Sequence, residues 1–341
     1  MSYNPPFQLT NEILNIVANI SMLIGNWTAT NTSQLSPKLR RSNRLRTIQA
    51  SLAIENNTLS IEQVTAVLAG KKVLGLPHEI QEVRNAFNAY DNLPSWQASN
   101  PEHLLSAHKL LMYGLVDDAG QYRNQGVGIY REKQLIHMAP PANRVPILMG
   151  DLHNWLSTTD YHPLIASCIF HYEFEFIHPF SDGNGRMGRL WQTLYLSQWQ
   201  PMFAYLPVET VIKDQQNEYY QALSLSDKAC DSTPFVLFML KALLSSIKEV
   251  QSSSSEQASD QVNVHVSDQV KRLLHWLNNK EPQKQSVIME GLTLKHRPTF
   301  KKNYLSPALD ADYIEMTEPD SPKSPKQKYY LTQLGKNIIN V

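Results

Sequence analysis

The sequence predicts a mainly α-helical protein that carries one small β-hairpin and ends in a winged helix-turn-helix domain. Apolar residues recur at spacings of three and four through residues 10–250, as in Ile61, Val64, Val67 and Leu68, and this period is typical of helices. Prolines separate the helical runs. Near the C-terminus, three short helical runs precede two strand-like runs, which is the element order of a winged helix.

The composition restricts the class of protein. The chain has 341 residues, enough for two or three domains, and a net charge of zero, so no global field favours nucleic acid or a membrane. The two cysteines, Cys168 and Cys230, form no disulfide framework, which indicates a reducing compartment. The N-terminus lacks the pattern of a signal peptide, and the apolar run at 16–24 is about half of the ~20 residues that a membrane span needs. We therefore expect a cytoplasmic protein outside the membrane.

The sequence divides into four regions. Residues 1–110 form an N-terminal helical region and residues 111–250 a helical core. Within the core, QGVGIYREKQLIHMAPP at 125–141 has two glycines, β-branched residues and a double proline, which predict a hairpin followed by a stop. The polar, serine-rich stretch at 251–266 predicts a linker, and residues 267–341 form the winged domain.

The winged domain is predicted from DQVKRLLHWL, KQSVIMEGL and RPTFKKNYLSPALD as helices and from IEMT and KYYLT as strands. It holds twelve Lys and Arg against eight Asp and Glu. Seven of these cations lie near the third helix or in the wing: Lys295, Arg297, Lys301, Lys302, Lys323, Lys326 and Lys328. These positions suit DNA phosphates, but the excess is modest. Weak DNA binding, docking of a protein and formation of a homodimer stay open as alternatives.

The segment HPFSDGNGRMGRL at 178–190 holds the residues that point to chemistry. Gly183 and Gly185 allow a turn whose backbone amides hold an anion. The run from Arg186 onwards reads as a helix, whose N-terminus adds a partial positive charge. Arg186 and Arg189 lie on neighbouring parts of one helix face, and two guanidinium groups suit phosphate. The segment therefore predicts a phosphate-binding site.

A carboxylate and an imidazole lie beside this predicted phosphate site. Asp182 suits such a place if a divalent cation lies between it and the phosphate, since Mg²⁺ commonly binds one or two carboxylates plus phosphate oxygens. His178 ends the preceding helix, which Pro179 keeps from continuing, and His is the usual general base near neutral pH. Each residue alone is more often part of a turn or cap. The ordered set predicts metal-assisted transfer from a nucleotide to a hydroxyl.

HPFSDGNGRMGR matches the signature of the Fic (Fic/Doc) family at every fixed position, and the resemblance extends over roughly residues 10–250. It implies a Fic-type helical bundle, with 111–250 as the catalytic core, and transfer of AMP from ATP to a protein hydroxyl with release of pyrophosphate. His178 would deprotonate the target Ser, Thr or Tyr, Asp182 would hold Mg²⁺, and Arg189 would bind the γ-phosphate. The other expected ATP-binding residues of the segment are Gly183, Asn184, Gly185, Arg186, Met187 and Gly188.

The hairpin gains a role from the same resemblance. In the family a flap beside the active site pairs with the backbone of the target, as an added strand does. The nucleotide-facing strand of the flap would consist of Val127, Gly128, Ile129 and Tyr130. Without the resemblance, a plain surface hairpin explains the segment equally well.

EYYQALSLSD at 218–227 resembles the helix that lies beside the adenine in the family. Tyr219, Tyr220 and Asp227 would then line the base, although the family often has Asn at the position of Asp227. On spacing alone, a pair of tyrosines on a helix is more often part of the core.

SLAIEN at 51–56 matches the inhibitory pattern of the family, in which Ser or Thr is followed by three residues, Glu, and then Gly or Asn. The matching residues are Ser51, Glu55 and Asn56, and their place before the core is that of the subclass with the inhibitory helix in the same chain. The resemblance implies that Glu55 pairs with Arg189 and that ATP then binds with misplaced phosphates. Misplacement by about 1 Å costs on the order of a hundredfold in rate.

Two other functions stay open. One is a transcriptional regulator whose Fic domain senses a nucleotide, although the intact His178 and both arginines favour an enzyme. The other is a Fic enzyme that transfers UMP, phosphate or phosphocholine, or that removes AMP. The expected partners are ATP, a target protein of unknown identity, and the exposed hydroxyls of the enzyme itself.

Overall fold

The structure, a computed structural model, describes the following residues: 3–29, 37–131, 134–260, 266–311, 313–318 and 324–339. The chain forms two compact units, of which the first consists of Met1–Ser33 and Asn43–Val250 and the second of Gln34–Ser42 and Gln251–Val341. Among the described residues, no helix is both long and apolar enough to cross a membrane.

Helices build most of the described part of residues 3–260, as the periodicity predicts. In chain order they are α1 (Asn11–Ala29), α2 (Pro37–Ile54), α3 (Ile61–Leu68), α4 (Pro77–Asp91), α5 (Pro101–Leu111), α6 (Val145–Thr158), α7 (Pro163–Ile177), α8 (Asn184–Trp199), α9 (Val208–Asp214), α10 (Gln216–Ala229) and α11 (Thr233–Asp260). Prolines occupy the first turn of several of them, including α4, α5 and α7. Proline is tolerated there because the missing N–H has no helical acceptor.

The centre of the first unit is α7. Its residues from Leu164 to Ile177 are buried except Phe176, so the helix lies inside the unit. Gly188 lets α8 pack closely on it, since a Cβ at this position would lie 2.8 Å from Glu175 Oε1 and 2.9 Å from His171 Cδ2. The turn between α7 and α8 is therefore supported by two helices in close contact.

The predicted hairpin is confirmed. β1 (Gly128–Arg131) pairs antiparallel with β2 (Gln134–Met138), with an irregular register between Ile129 and Tyr130. Residues 132 and 133, and the side chains of 128–138, lie outside the described part.

The second unit has the predicted order of helices and strands. Its elements are α12 (Asp268–Leu277), α13 (Gln285–Gly291), α14 (Arg297–Phe300), α15 (Ser306–Asp310), β3 (Ile314–Met316), β4 (Tyr329–Leu331) and α16 (Gln333–Ile339), with β3 and β4 antiparallel. A π-helical turn at Lys301–Leu305 interrupts the predicted third helix, and α16 was not predicted. Lys323, expected in the wing, lies outside the described residues.

The stretch 251–260 differs from the prediction of a linker, because α11 continues through it to Asp260. Its sequence QSSSSEQASD is polar but contains neither proline nor glycine. The low apolar content of this stretch led to the prediction of a linker. The absence of proline and glycine, which end helices, was the better predictor of its helical backbone.

Candidate active site

The turn that connects α7 to α8 begins at His178. The amide of His178 donates to Phe174 O at 2.9 Å, and its backbone is left-handed, with φ 49° and ψ 63°. This conformation is uncommon for a residue other than glycine. It ends α7 and turns the chain away from the helix axis, which leaves the imidazole of His178 half-buried at the edge of the turn.

Asn184 closes the turn from inside. Its Oδ1 accepts from the amide of Phe180, and its Nδ2 donates to the carbonyl of Phe180, both at 2.9 Å. The residue is 2% exposed. Asn184 was expected among the ATP-binding residues; in this structure its side chain bonds the backbone of Phe180 and holds the turn, and its own amide lies in the first turn of α8.

Gly183 forms the N-cap of α8, with φ 83°, and its Cα packs on Met112, whose Sδ would lie 2.6 Å from a Cβ. The helix therefore begins at Asn184, two residues before the predicted start at Arg186. The first amides of α8 have no acceptor within the helix, and they lie directly at the turn. This arrangement suits an anion.

Asp182 stands at the open side of the turn, with its side chain 60% exposed. Its Oδ1 accepts from the amide of Gly183 at 2.6 Å and from Arg186 Nη2 at 3.2 Å. Within the described ranges, no group of three or more His, Cys, Asp and Glu side chains could hold a metal ion. A single exposed carboxylate nevertheless fits Mg²⁺ that takes its remaining ligands from phosphate and water.

Arg186 turns back toward α4. Its Nη1 donates to Glu82 Oε1 at 2.8 Å, and both side chains are largely buried. The other oxygen of Glu82 accepts from Asn57 Nδ2 at 2.7 Å. Glu82 is thus anchored at both carboxylate oxygens, and it fixes the direction of the Arg186 guanidinium.

Arg189 contacts the end of α2. Its Nη2 lies 2.7 Å from Glu55 Oε1 and 3.0 Å from the carbonyl of Ser51, and its Nε donates to Ser51 Oγ at 3.1 Å. Burial alone would lower the pKa of Arg189, but the charge of Glu55 raises it above its usual value. Asn56 follows with φ 69° and turns the chain away from α2.

The carboxylate of Glu55 lies against the backbone of the phosphate turn. A Cβ at Gly185 would collide with Glu55 Oε1, and it would lie 3.1 Å from Arg189 Nη1. Gly185 is therefore the point at which the end of α2 meets the first turn of α8. Glu55 occupies space beside the helix N-terminus where an anion would otherwise contact the amides.

A layer of buried polar groups lies beneath Arg189. Burial raises the pKa of Glu175 to about 8 and lowers that of His171 to about 3. His171 Nδ1 lies 2.8 Å from Gln192 Oε1, so the hydrogen-bond network assigns the proton to Nδ1. The imidazole is neutral and belongs to the support of α8.

The three residues expected beside the adenine differ in burial. Tyr219 is buried, and its hydroxyl lies 3.2 Å from His171 Nε2. Tyr220 is half-buried. Asp227 Oδ1 accepts from the hydroxyl of Tyr172 at 2.9 Å. Tyr219 is thus a core residue in this structure, as helical spacing alone favours.

The carbonyl of Val127 accepts from the amide of Ala139 at 3.2 Å and closes the hairpin at its base. The side chains of Ile129 and Tyr130 lie outside the described part. Of the expected flap, the structure therefore describes the backbone pairing of β1 with β2.

The sequence analysis did not predict the role of three residues that support this site: Glu82, His108 and Arg123. His108 stacks on Phe180 with ring centroids 3.6 Å apart, and its Nε2 lies 3.0 Å from the carbonyl of Asp182. None of these residues belongs to a motif, and their main partners are backbone atoms or residues distant in sequence. A single sequence contains no signal that would have identified them.

Two family models match the chain. The model described as "Fic/DOC family" matches residues 98–196, and the model described as "Filamentation induced by cAMP protein Fic-like, C-terminal domain" matches residues 268–332.

Among curated proteins, the "Protein adenylyltransferase Fic" of Aedes aegypti is 29% identical over an alignment of 210 residues, and the match covers 56% of this chain and 38% of that protein. That of Drosophila mojavensis is 30% identical over 204 residues, with coverage of 56% and 38%. The match thus spans well under half the length of these relatives.

Among solved structures, a Fic family protein from Desulfovibrio desulfuricans G20 is 56% identical, with a TM-score of 0.74 and coverage of 97% of this chain and 99% of that chain. Fic-1 of C. elegans is 25% identical, with a TM-score of 0.59 and coverage of 72% and 73%.

Proposed function

This chain belongs to the Fic family, and on that premise we propose that it is a protein adenylyltransferase. It transfers AMP from ATP to a Ser, Thr or Tyr hydroxyl of a target protein, and Glu55 restrains the reaction. The curated relatives that carry the name adenylyltransferase support this activity. The order of imidazole, carboxylate, glycine turn and two arginines in this chain supports it as well.

In the proposed reaction, His178 takes the proton of the target hydroxyl. The hydroxyl oxygen then attacks the α-phosphorus of ATP, the bond between the α- and β-phosphates breaks, and pyrophosphate leaves. The left-handed backbone of His178 and the end of α7 hold the imidazole at the edge of the turn. This position suits a base that meets an incoming side chain from solvent.

The phosphates would contact the first amides of α8 together with Arg186 and Arg189. The charge of the helix N-terminus and the two guanidinium groups all favour a polyanion. Asp182 would hold Mg²⁺, which supplies positive charge to the phosphate oxygens when bound. Its exposed carboxylate supports this assignment.

The contact of Glu55 with both Arg189 and the backbone at Gly185 carries the proposal of autoinhibition. One carboxylate occupies a cation that the γ-phosphate needs and also brings negative charge to the N-terminus of α8. ATP that enters beside Glu55 must accept a displaced triphosphate, and the α-phosphorus is then out of line with the target hydroxyl. Removal of the carboxylate relieves both obstacles.

Incubation with ATP labelled at the α- or γ-phosphate tests the transferase. Wild type and Glu55→Gly should attach the α-label to protein, their own chains included, and should not attach the γ-label. Protein-bound γ-label would indicate phosphate transfer instead, and ATP binding without transfer of either label would favour the nucleotide sensor.

His178→Ala is the matched variant for this experiment. It should still bind ATP, because the imidazole acts on the hydroxyl and not on the phosphates, and it should lose the transfer of AMP. Transfer at the wild-type rate would show that the role assigned to His178 is wrong.

A second function, weak binding of duplex DNA, is proposed for residues 267–341. Lys301 and Lys302 are exposed at the predicted recognition helix. In the same unit, a groove of about 820 Å³ is lined in part by Lys284, Lys295 and Arg297. Contacts of this kind bind phosphates without reading the sequence, so the affinity should fall steeply with salt.

A further inference from the structure

Arg123 lies between α5 and β1, and its side chain is inserted beneath the turn that begins at His178. Its Nε donates to the carbonyl of His178 at 2.7 Å, and its Nη2 donates to the carbonyl of Ile177 at 3.2 Å. The amide of Arg123 donates to the carbonyl of Pro179 at 2.9 Å. Three consecutive carbonyls around the base of the proposed reaction are therefore held by one residue.

The same guanidinium also holds both ends of the hairpin. Its Nη1 donates to the carbonyl of Gln125 at 2.8 Å, before β1, and its Nη2 donates to the carbonyl of Pro140 at 2.6 Å, after β2. Arg123 thus connects the base of the hairpin with the end of α7. The residue is 4% exposed, so solvent does not compete for these hydrogen bonds.

This bridge depends on the shape of the arginine side chain. The planar guanidinium directs five N–H donors outward in a fixed geometry, and here they reach carbonyls on two separate segments. A lysine ammonium has three donors at a single point and cannot span both segments. The cation also lies at the C-terminal end of α7, where the helix dipole favours a positive charge.

The backbone at His178 needs such support. A residue with φ 49° is in a conformation that costs free energy outside glycine. The carbonyls of Ile177 and His178 have no partner within α7, which has ended. Arg123 provides their hydrogen bonds, so the direction of the His178 side chain depends on a residue 55 positions earlier in the chain.

We propose that Arg123 is the positioning residue for transfer: it aligns His178 with the hairpin, so that base and target backbone meet in one geometry. The inference rests on the proposed function, in which His178 is the base, and on the pairing of the hairpin with the target backbone that the family resemblance implies. Within the described part of the chain, the hydrogen bonds of Arg123 go to Gln125, Pro140 and residues 177–179, and not to the residues that would hold the phosphates. Its loss should therefore lower the rate of transfer and leave the affinity for ATP intact.

The test uses the full chain in the Glu55→Gly background, with Arg123→Lys and Arg123→Met compared against the exposed control Arg144→Met. ATP affinity, thermal stability and the rate of self-modification at saturating ATP and Mg²⁺ are measured for each. We expect ATP affinity within about twofold of the parent and a rate lower by on the order of 10- to 100-fold for both Arg123 variants. The control should match the parent.

A second readout does not depend on activity. Hydrogen exchange should show less protection of the hairpin amides in both Arg123 variants, while amides in the middle of α8 keep theirs. A parallel loss of ATP affinity and rate would indicate a general structural role and would overturn the proposal, as would an unchanged rate or unchanged hairpin protection. If the Glu55→Gly parent transfers no AMP, the proposed function fails, and the hairpin protection then decides on Arg123 by itself.

Discussion

Arg186 and Arg189 lie one turn apart on α8, and each pairs with a glutamate that is distant in sequence, but the two pairs differ in how the glutamate is held. Glu82, the partner of Arg186, is 14% exposed and anchored at both oxygens, by Arg186 and by Asn57. Glu55, the partner of Arg189, is 32% exposed and lies against Gly185 at the phosphate turn.

The difference separates two kinds of ion pair. We call the Glu82–Arg186 pair the brace, because it holds an arginine in place, and the Glu55–Arg189 pair the lock, because it occupies the place of a phosphate. A carboxylate that is hydrogen-bonded at both oxygens holds its arginine in one direction, and it can stay in place when a phosphate binds. A carboxylate that stands in the place of the phosphate must leave, and its partial exposure gives it a path into solvent. We therefore propose that Glu55 inhibits the enzyme and that Glu82 orients Arg186.

The largest effect is expected from the lock. Arg189→Ala should cancel the gain in transferase rate that Glu55→Gly brings, on the order of a hundredfold. The two changes must be non-additive, because they act on the same contact. The rates of wild type, both single variants and the double variant at saturating ATP measure this coupling. Additive effects would show that Glu55 inhibits by some route other than Arg189.

The brace should give a smaller effect of opposite sign. In the Glu55→Gly background, Glu82→Gln should lower the transferase rate roughly tenfold, the equivalent of about 1.4 kcal/mol, because Arg186 loses the charge that directs it. Glu62→Gln, which changes an exposed glutamate of α3, is the matched control. A rise in the rate of Glu82→Gln would make Glu82 a second lock and would end the distinction between the two pairs.

The layer of buried polar groups beneath Arg189 includes the carboxyl of Glu175, and burial raises the pKa of this carboxyl to about 8. The folded protein therefore holds this proton more tightly than the unfolded chain does, so the stabilisation is present at low pH and is lost as pH rises through about 8. The melting temperature of wild type should fall between pH 5 and pH 8 by more than that of Glu175→Gln. The exposed control Glu218→Gln should behave as wild type, and identical pH dependence in all three would contradict the assigned pKa.

The smallest effect on transfer is expected from the second unit. Replacement of Lys301 and Lys302 by Glu should leave the transferase rate unchanged and remove any binding of duplex DNA at low salt. Duplex binding that survives the double replacement would place the contacts elsewhere. No binding by the wild-type chain at low salt would favour docking of a protein.

The sequence predicted those parts of the site that depend on local order. The signature at 178–190 indicated the end of one helix, a glycine turn and the start of the next, and the structure has this order, with α8 starting two residues earlier than expected. The pattern at 51–56 pointed to Glu55 and Arg189, which are 134 residues apart and form an ion pair. Two motifs together encode this pair, because Glu55 belongs to the pattern at 51–56 and Arg189 to the signature at 178–190.

The remaining parts depend on packing between distant segments. Arg123 and His108 bind backbone carbonyls, which every residue type has, so no pairing of side chains could identify them in advance. The hydrogen bonds between the Asn184 side chain and Phe180 were not predicted for a similar reason, since an asparagine in a glycine turn can face a ligand or its own backbone. For Tyr219 the sequence allowed two interpretations, a core residue or a residue beside the adenine. Its contact with His171 depends on how α10 packs on α7.

The rate of AMP transfer by wild type and by Glu55→Gly, at saturating ATP and Mg²⁺ and with Glu62→Gln as control, tests the central claim most directly. If Glu55 occupies the place of the γ-phosphate at Arg189, the rate of Glu55→Gly should exceed that of wild type on the order of a hundredfold, and the control should not differ from wild type. Equal rates for wild type and Glu55→Gly would contradict the claim that this carboxylate restrains the enzyme.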